Sequence, residues 1–388
     1  MSAAVAQRHL PETRMIEDNN NDSSELLNAS SIGHVETVKL LLRNGADVDL
    51  KDDNGFTALM LSVQKGHVKI IQLLLKAGAC VNEKDRDGRT TLMTASREGN
   101  FEIVELLLNN NASTDEKCNE GSTALILASY YGHANIVKRL ITPDTNVDLE
   151  NAQGWKALMK ACLKGNCIIV KHLIDRGASV NAKNNNGRTA LMIASEYAQT
   201  TTIQPISGAN VDDKDRDGLT ALMIACQNGH VETVEALIKA KANVNEAQND
   251  GTTALMIAVL HNRFDVVNLL LNNEAKVNQS DHCSVNALMI AAENGYPEIA
   301  RALIQFGADV NHKDCDGGSA FYRTAMNNHT EVMNALLEKE VDVNEKFVDT
   351  PSRIVKRRPC ATPKLREPTF CQPRYVYNIP LQVMHFKN

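Results

Sequence analysis

Histidine and cysteine are the side chains of this sequence best suited to nucleophilic, acid–base or metal chemistry. The 388 residues include eleven His and nine Cys. Four of the histidines, His34, His67, His133 and His230, each follow a glycine and stand between two stretches with helical periodicity. Their recurrence in one slot predicts a shared structural role for these imidazoles.

The other signals for chemistry are weak. The cysteines form no C-x-x-C pair and no Cys/His group at zinc spacing, and their odd number fits reduced structural thiols in the cytosol or nucleus. No P-loop, G-x-S-x-G or H-E-x-x-H motif occurs, and no Cys/His pair has a plausible orienting group. We therefore expect no enzyme, no catalytic residue, no metal, no cofactor and no small-molecule substrate.

Charge is unevenly distributed along the chain. The net charge is −6, but residues 349–388 contain eight basic and two acidic residues, which leaves 33 basic and 45 acidic residues in the rest. An acidic body repels nucleic acid phosphates, so nucleic acid is not an expected partner. No apolar run approaches the ~20 residues of a membrane span, and the first residues lack the apolar region of a signal peptide.

An internal repeat organises most of the sequence. One glycine recurs at steps of 33 residues, with a single step of 31 before Gly218 and a serine in the same slot at 284. The slot contains Gly55, Gly88, Gly121, Gly154, Gly187, Gly218, Gly251, Ser284 and Gly317. Counting back to Asp22 gives ten repeats between residues 21 and 348.

Each repeat predicts two short antiparallel helices. A Thr two residues after the corner glycine, such as Thr57 or Thr220, can cap the first helix. Gly, or Asn at positions 262 and 328, stands eleven residues after the corner and can end that helix in a left-handed conformation. The second helix has an apolar stripe, as in HVETVKLLL. A helix pair of this size encloses no core alone and must stack on its neighbours.

These repeats resemble ankyrin repeats in their period of 33, in "DG-x-T-A-L", in "GHVETV" and in "LL-x-x-GADVN". The resemblance covers about 328 residues and implies an all-α solenoid of stacked helix–turn–helix repeats with β-hairpin-like corner loops. The usual TPLH motif is TALM here, so a row of methionines replaces the histidine of the family. We expect this row to fill the core between repeats.

The sixth repeat, residues 186–216, is irregular. It lacks two residues in the region of its second helix, and TTTIQPI stands where the seventh repeat has VETVEALI. Its turn slot contains Ala198, and Pro205 disfavours a helix. We expect the second helix to be largely lost and two blocks, 21–185 and 217–348, to meet at a weakened joint. A tolerated deletion and a functional hinge both remain open.

The resemblance also implies where a partner binds, because the family binds proteins with its corner loops and the exposed end of the first helix. In repeats four to six these positions are unusually rich in aromatic residues, and the sequence shows no structural need for them there. Tyr, Trp and Arg dominate the binding energy of many interfaces. The predicted binding residues are Tyr130, Tyr131, Trp155, Leu163, Arg188 and Tyr197. Chance variation at unconstrained surface positions is the alternative.

Both ends depart from the period. Residues 1–20 are polar and are predicted to be flexible. The tail, residues 349–388, is basic and contains prolines, and its cluster Arg353, Lys356, Arg357 and Arg358 fits a nuclear-import signal or a contact with an acidic surface. A solvated tail is the simpler interpretation.

The sequence as a whole predicts a monomeric, cytoplasmic, non-catalytic scaffold or adaptor that binds a protein partner on the concave face of the solenoid. Two alternatives stay open. The chain acts as a nuclear or signalling regulator that uses the basic tail for import, or it is a fragment of a larger ankyrin-containing membrane or signalling protein.

Overall fold

The computed structural model describes residues 12–143, 145–206, 208–339 and 341–342, without the side chains of 12–21 and 205. The described residues form twenty α-helices and no β-strand, and helices follow one another in pairs. In chain order they are α1 (Glu12–Ile32), α2 (Val35–Arg43), α3 (Ala58–Lys65), α4 (Val68–Lys76), α5 (Thr91–Glu98), α6 (Phe101–Asn109), α7 (Ala124–Tyr131), α8 (Ala134–Leu140), α9 (Ala157–Leu163), α10 (Cys167–Asp175), α11 (Ala190–Glu196), α12 (Thr200–Ile203), α13 (Ala221–Asn228), α14 (Val231–Lys239), α15 (Ala254–Leu260), α16 (Phe264–Asn272), α17 (Ala287–Asn294), α18 (Pro297–Gln305), α19 (Ala320–Asn327) and α20 (Thr330–Leu337).

The predicted caps position these helices. Thr57 accepts a hydrogen bond from the backbone N–H of Met60 at 3.3 Å, and the other capping threonines do the same. Gly66 and its equivalents end the first helices with positive φ, as do Asn262 (φ 53°) and Asn328 (φ 59°). Each first helix therefore ends in a left-handed turn that reverses the chain into the second helix.

First helices pack on first helices, and second helices on second helices, in adjacent repeats. The methionine row lies between the first helices and is buried throughout. This confirms its predicted role in the core. The row consists of Met60, Met93, Met159, Met192, Met223, Met256 and Met289. Since no repeat encloses its own core, the fold is the predicted ankyrin solenoid.

Narrow corner turns connect one repeat to the next. In four of them an isolated antiparallel bridge closes the turn, for example between Glu150 and Lys156. An Asp or Asn side chain beside each corner accepts a hydrogen bond from a backbone N–H of the next repeat, as Asp49 does from Cys80 at 2.9 Å. The same bond forms at the following junctions: Asn82–Ser113, Asp148–Ser179, Asp212–Asn243, Asn245–Lys276, Asn278–Asp309 and Asn311–Asp342.

The sixth repeat keeps its first helix, α11, and reduces its second to the four residues of α12 and a 3₁₀ turn, Gln204–Ile206. The short segment still packs on α10, α11 and α14, and Thr202, Ile203 and Ile206 are buried. Thr200 and Thr233 share a hydrogen bond between their hydroxyls at 2.9 Å. Stacking therefore passes through both helices of this repeat, and not through the first helix alone as we expected.

The missing residues do not interrupt the junction bonds. Asn181 accepts from the backbone of Asn210 across 29 residues, where the other junctions span 31. The described part of the array forms one compact unit, with no division at the sixth repeat. The expected weakness of residues 186–216 concerns stability and stays a prediction.

The first helix differs from its predicted form. Helix α1 begins at Glu12, inside the segment 1–20, and runs through Asp22 without a corner turn. The reason lies in the residue types: no glycine or proline occurs between Glu12 and Ile32, and Asp22 replaces the glycine that makes the left-handed turn elsewhere. The first repeat therefore begins with a longer helix than the other repeats.

Candidate partner-binding surface

The ends of three consecutive first helices and the corner turns before them present the predicted binding residues. Tyr130 and Tyr131 end α7, Leu163 ends α9, and Tyr197 follows α11. Trp155 and Arg188 stand in the corner turns that precede α9 and α11. We call these six residues the aromatic patch.

The two tyrosines of α7 contact each other. Their ring centroids are 5.0 Å apart with planes at 85°, which is the edge-to-face geometry that aromatic pairs favour. Half of Tyr131 is exposed (51%), and Tyr197 is similarly exposed (50%). These rings offer apolar area to a partner without any change in the fold.

Two lysines lie over the rings of the patch. The ammonium of Lys160 is 4.1 Å from the ring centroid of Trp155 and 5.3 Å from that of Tyr130. The ammonium of Lys164 is 4.5 Å from the same Tyr130 centroid. Both are cation–π distances, so the rings of repeats four and five are joined through their faces to two positive charges.

The charge of Lys160 is poorly compensated within the chain. Burial lowers the pKa of Lys160, nearby Lys164 lowers it further, and the more distant Glu120 opposes the shift. Among the described residues, neither Lys160 nor Lys164 has an ion-pair partner. The patch therefore contains a half-buried cation that lacks an anion.

Arg188 is in the opposite situation. Its guanidinium forms an ion pair with Glu196 and lies 3.5 Å from a carboxylate oxygen of the buried Asp215. Burial lowers the pKa of Arg188, but Glu196 and Asp215 outweigh it and hold that pKa above its ordinary value. This arginine is neutralised by its own chain and fixes the edge of the patch between repeats six and seven.

Two members of the patch also serve the scaffold. Trp155 and Leu163 are half-buried and pack against the core, so the expectation that the fold has no use for them is wrong. Their sequence neighbours gave no sign of this, because the same positions hold polar residues in other repeats. Tyr131 and Tyr197 are the exposed residues of the patch that are most suitable for substitution.

The sequence analysis missed Lys160, although a signal for it exists. Its position in the first helix belongs to a row of mostly aliphatic residues, and a basic side chain occurs there twice. The row is Leu61, Thr94, Leu127, Lys160, Ile193, Ile224, Ile257, Ile290 and Arg323. A charged residue in an aliphatic row marks a local exception to the packing rule of the array.

The recurring histidines have the predicted structural role. The imidazole of His133 contacts the carbonyl of Arg97 in the previous repeat at 2.9 Å, through Nε2. His67, His230 and His329 make the same contact with the first helix of the repeat before them. They partner carbonyls that the end of a helix leaves unpaired.

Other candidates for chemistry are placed as follows. Cys162 and Cys226 are buried between first helices, and burial raises the pKa of both thiols. Within the described residues no group of three His, Cys, Asp or Glu side chains is arranged to hold a metal ion. Arg353, Lys356, Arg357 and Arg358 lie outside the described residues, so their role stays a prediction.

A family model described as ankyrin repeats, in three copies, matches residues 5–85, 26–118, 81–151, 125–206, 199–281 and 273–347. The overlapping matches extend over most of the chain. The chain belongs to the ankyrin-repeat family. The search of curated proteins found no match.

Solved ankyrin structures match the array in part. The ankyrin repeat domain of Bcl-3, described as a unique member of the IkappaB protein family, is 27% identical, with a TM-score of 0.53 over 56% of this chain and 99% of that one. The human ASB11 ankyrin repeat domain is also 27% identical, with a TM-score of 0.51 over 57% of this chain and 99% of its own.

Ankyrin repeats are in general modules of protein–protein interaction, and their fold is typically non-catalytic. None of the helices in the described part of this ankyrin array has both the length and the apolar character needed to cross a bilayer.

Proposed function

We propose that this ankyrin-repeat chain is a monomeric, non-catalytic scaffold or adaptor that holds a protein partner against the face formed by its first helices and corner turns. The observation that supports this proposal is the aromatic patch, in which three tyrosines and the only tryptophan come together at the ends of three adjacent first helices. Rings of this kind, half-exposed beside positive charges, are typical of the centre of an interface.

Neighbouring parts of the same face support the location. The slot of Tyr131 holds Lys65 in repeat two, Asn228 in repeat seven and Asn294 in repeat nine. The array therefore folds with polar residues in this slot, and a tyrosine there adds exposed apolar area. We infer that the partner lies across repeats four to six.

Affinity capture with the full-length chain tests the proposal. We expect one or more proteins to be retained by the natural chain and released when Tyr131 and Tyr197 are both replaced by alanine, with at least a tenfold fall in affinity, since interface tyrosines contribute about 2 kcal/mol or more where they are central. Circular dichroism of the variant checks that its helices are unchanged.

Leu260→Ala is the matched control, because Leu260 is exposed (44%) and occupies in repeat eight the slot that Leu163 occupies in repeat five. A partner that is lost equally with Leu260→Ala, or retained by the double tyrosine variant, contradicts the proposed location.

A second candidate is a regulator that enters the nucleus, favoured by the basic cluster in the tail. We propose a cytoplasmic protein for which this cluster supplies import. A fluorescent fusion tests this proposal: replacement of Lys356, Arg357 and Arg358 by alanine should remove nuclear signal, whereas replacement of the acidic-flanked Lys84 should not. Equal nuclear signal in both variants contradicts the import role.

A further inference from the structure

We propose that the partner inserts an aspartate or glutamate side chain of an exposed peptide segment between Lys160 and Lys164, with an apolar or aromatic neighbour stacked on the aromatic patch. This inference rests on the proposed function and adds the chemistry of the partner to it.

The first argument is the position of the two ammonium groups. Both lie within 5.3 Å of the Tyr130 centroid, and Lys160 also lies over Trp155. Two like charges gathered on one ring repel each other. A carboxylate that contacts both groups removes that repulsion and supplies charge-assisted hydrogen bonds to a half-buried donor.

The second argument is that the chain pairs its other lysines in comparable positions. On the corner turns a lysine of one repeat contacts a carboxylate of the next, with an N–O distance of 2.6 to 2.8 Å. These pairs are Lys51–Glu83, Lys84–Glu116 and Lys214–Glu246. Lys160 and Lys164 have no such carboxylate among the described residues, so the anion for them has to come from outside the described array.

The third argument excludes two nearer sources of a carboxylate. Glu196 and Asp215, which border the patch, are occupied by Arg188. The tail of the chain, residues 349–388, carries two acidic against eight basic residues, and its charge opposes docking on two lysines. An acidic segment of another protein fits best.

The fourth argument concerns nucleic acid, which also carries anions. Outside the tail the chain has 45 acidic and 33 basic residues, so a long polyanion meets repulsion on every side of the patch. A single carboxylate on a peptide needs only the local pair of lysines. The rings beside the lysines suit an apolar side chain next to that carboxylate.

The chain carries its own probe for the test, because Trp155 is its only tryptophan and forms part of the site. A random peptide library is selected against the full-length chain, and enriched peptides are titrated while the fluorescence of Trp155 is recorded. We expect the enriched sequences to share an Asp or Glu beside an apolar residue, and their binding to change the fluorescence.

The decisive measurement is a double-mutant cycle. Lys160→Ile, which installs the residue that repeat six carries at this slot, and Glu→Gln or Asp→Asn in the peptide should each weaken binding about tenfold. Combined, they should weaken it little more than either change alone, because both remove the same contact. Lys164→Gln provides a second variant with an unchanged helix.

Lys65→Gln is the matched control, since Lys65 holds in repeat two the slot that Lys164 holds in repeat five. It should leave the affinity unchanged. Peptides that change the fluorescence without an acidic residue, or losses that simply add in the cycle, overturn the carboxylate inference and leave the proposed function standing. A library without any peptide that changes the fluorescence contradicts both.

Discussion

Repeats five and ten contain a basic side chain at the same slot of the first helix, and their surroundings differ in one respect. Arg323 in repeat ten is buried and forms ion pairs with Glu293 and, at 2.6 Å, with Asp314, whose side chain is 6% exposed. Lys160 in repeat five lies on two aromatic rings without a carboxylate partner in the described array. The same frame thus carries one cation that completes the fold and one whose counter-charge the fold does not supply.

This difference separates structural from functional charge within a repeat protein. A cation that stabilises the array has its anion in the next turn or the next repeat. A cation that serves binding costs desolvation in the isolated chain and recovers it in the complex. Substitution of both residues by the isoleucine that other repeats carry separates the two roles.

Arg323→Ile is expected to have the largest effect. It leaves the buried Asp314 without its partner, and loss of one member of a buried pair costs about 3 kcal/mol or more. Hydrogen exchange of α19 and α20 measures the loss locally, which suits a repeat array whose unfolding is not all-or-none. Asp316→Asn, in the same turn but exposed, is the control. Unchanged protection would show that the pair does not stabilise repeat ten.

Ala198→Gly is expected to have an intermediate and opposite effect. Ala198 has φ 55°, in the slot where repeat eight has Asn262 and most repeats have glycine. Release of this left-handed strain should stabilise the sixth repeat by about 0.5–1 kcal/mol, net of the greater freedom of glycine in the unfolded chain. Hydrogen exchange of residues 195–206 reports it. Asn262→Gly should change protection less, because asparagine tolerates this conformation.

Lys160→Ile should have the smallest effect on stability. The cation–π contacts that it removes and the desolvation that it relieves are of similar size, so protection of α9 should change by no more than about 0.5 kcal/mol. A loss as large as that of Arg323→Ile would show that Lys160 is a structural cation, and the comparison between repeats five and ten would then fail.

Much of the fold follows from the sequence because the repeat sets it. The period of 33, the capping threonine at Thr57 and its equivalents and the left-handed turn at Gly66 are local signals, and the structure realises each of them. Helix α1 escaped prediction because the rule that breaks other repeats, a glycine at the corner, is absent at Asp22. The packing of Thr202 and Ile206 escaped it because burial depends on α10 and α14 as well as on local propensity.

The candidate site was predictable in place and not in chemistry. Residue type and slot brought Tyr130, Tyr131 and Tyr197 to one face, since slots on the first helix are equivalent from repeat to repeat. The contact of Lys160 with Trp155 depends on side-chain conformation across two positions of one repeat, which the period does not encode. The ion pairing of Arg188 depends likewise on Asp215 in the following repeat.

The bonds between corner turns have a consequence for how such a chain changes length. Asn181 accepts from Asn210, and Asp212 accepts from Asn243, with the same donor and acceptor types at both borders of the irregular segment. Each repeat therefore ends with the half of a joint that the following one completes. Removal or duplication of a whole repeat restores a matched joint at the splice, so the array can be edited like a row of identical couplings while a local shortening is absorbed inside one of them.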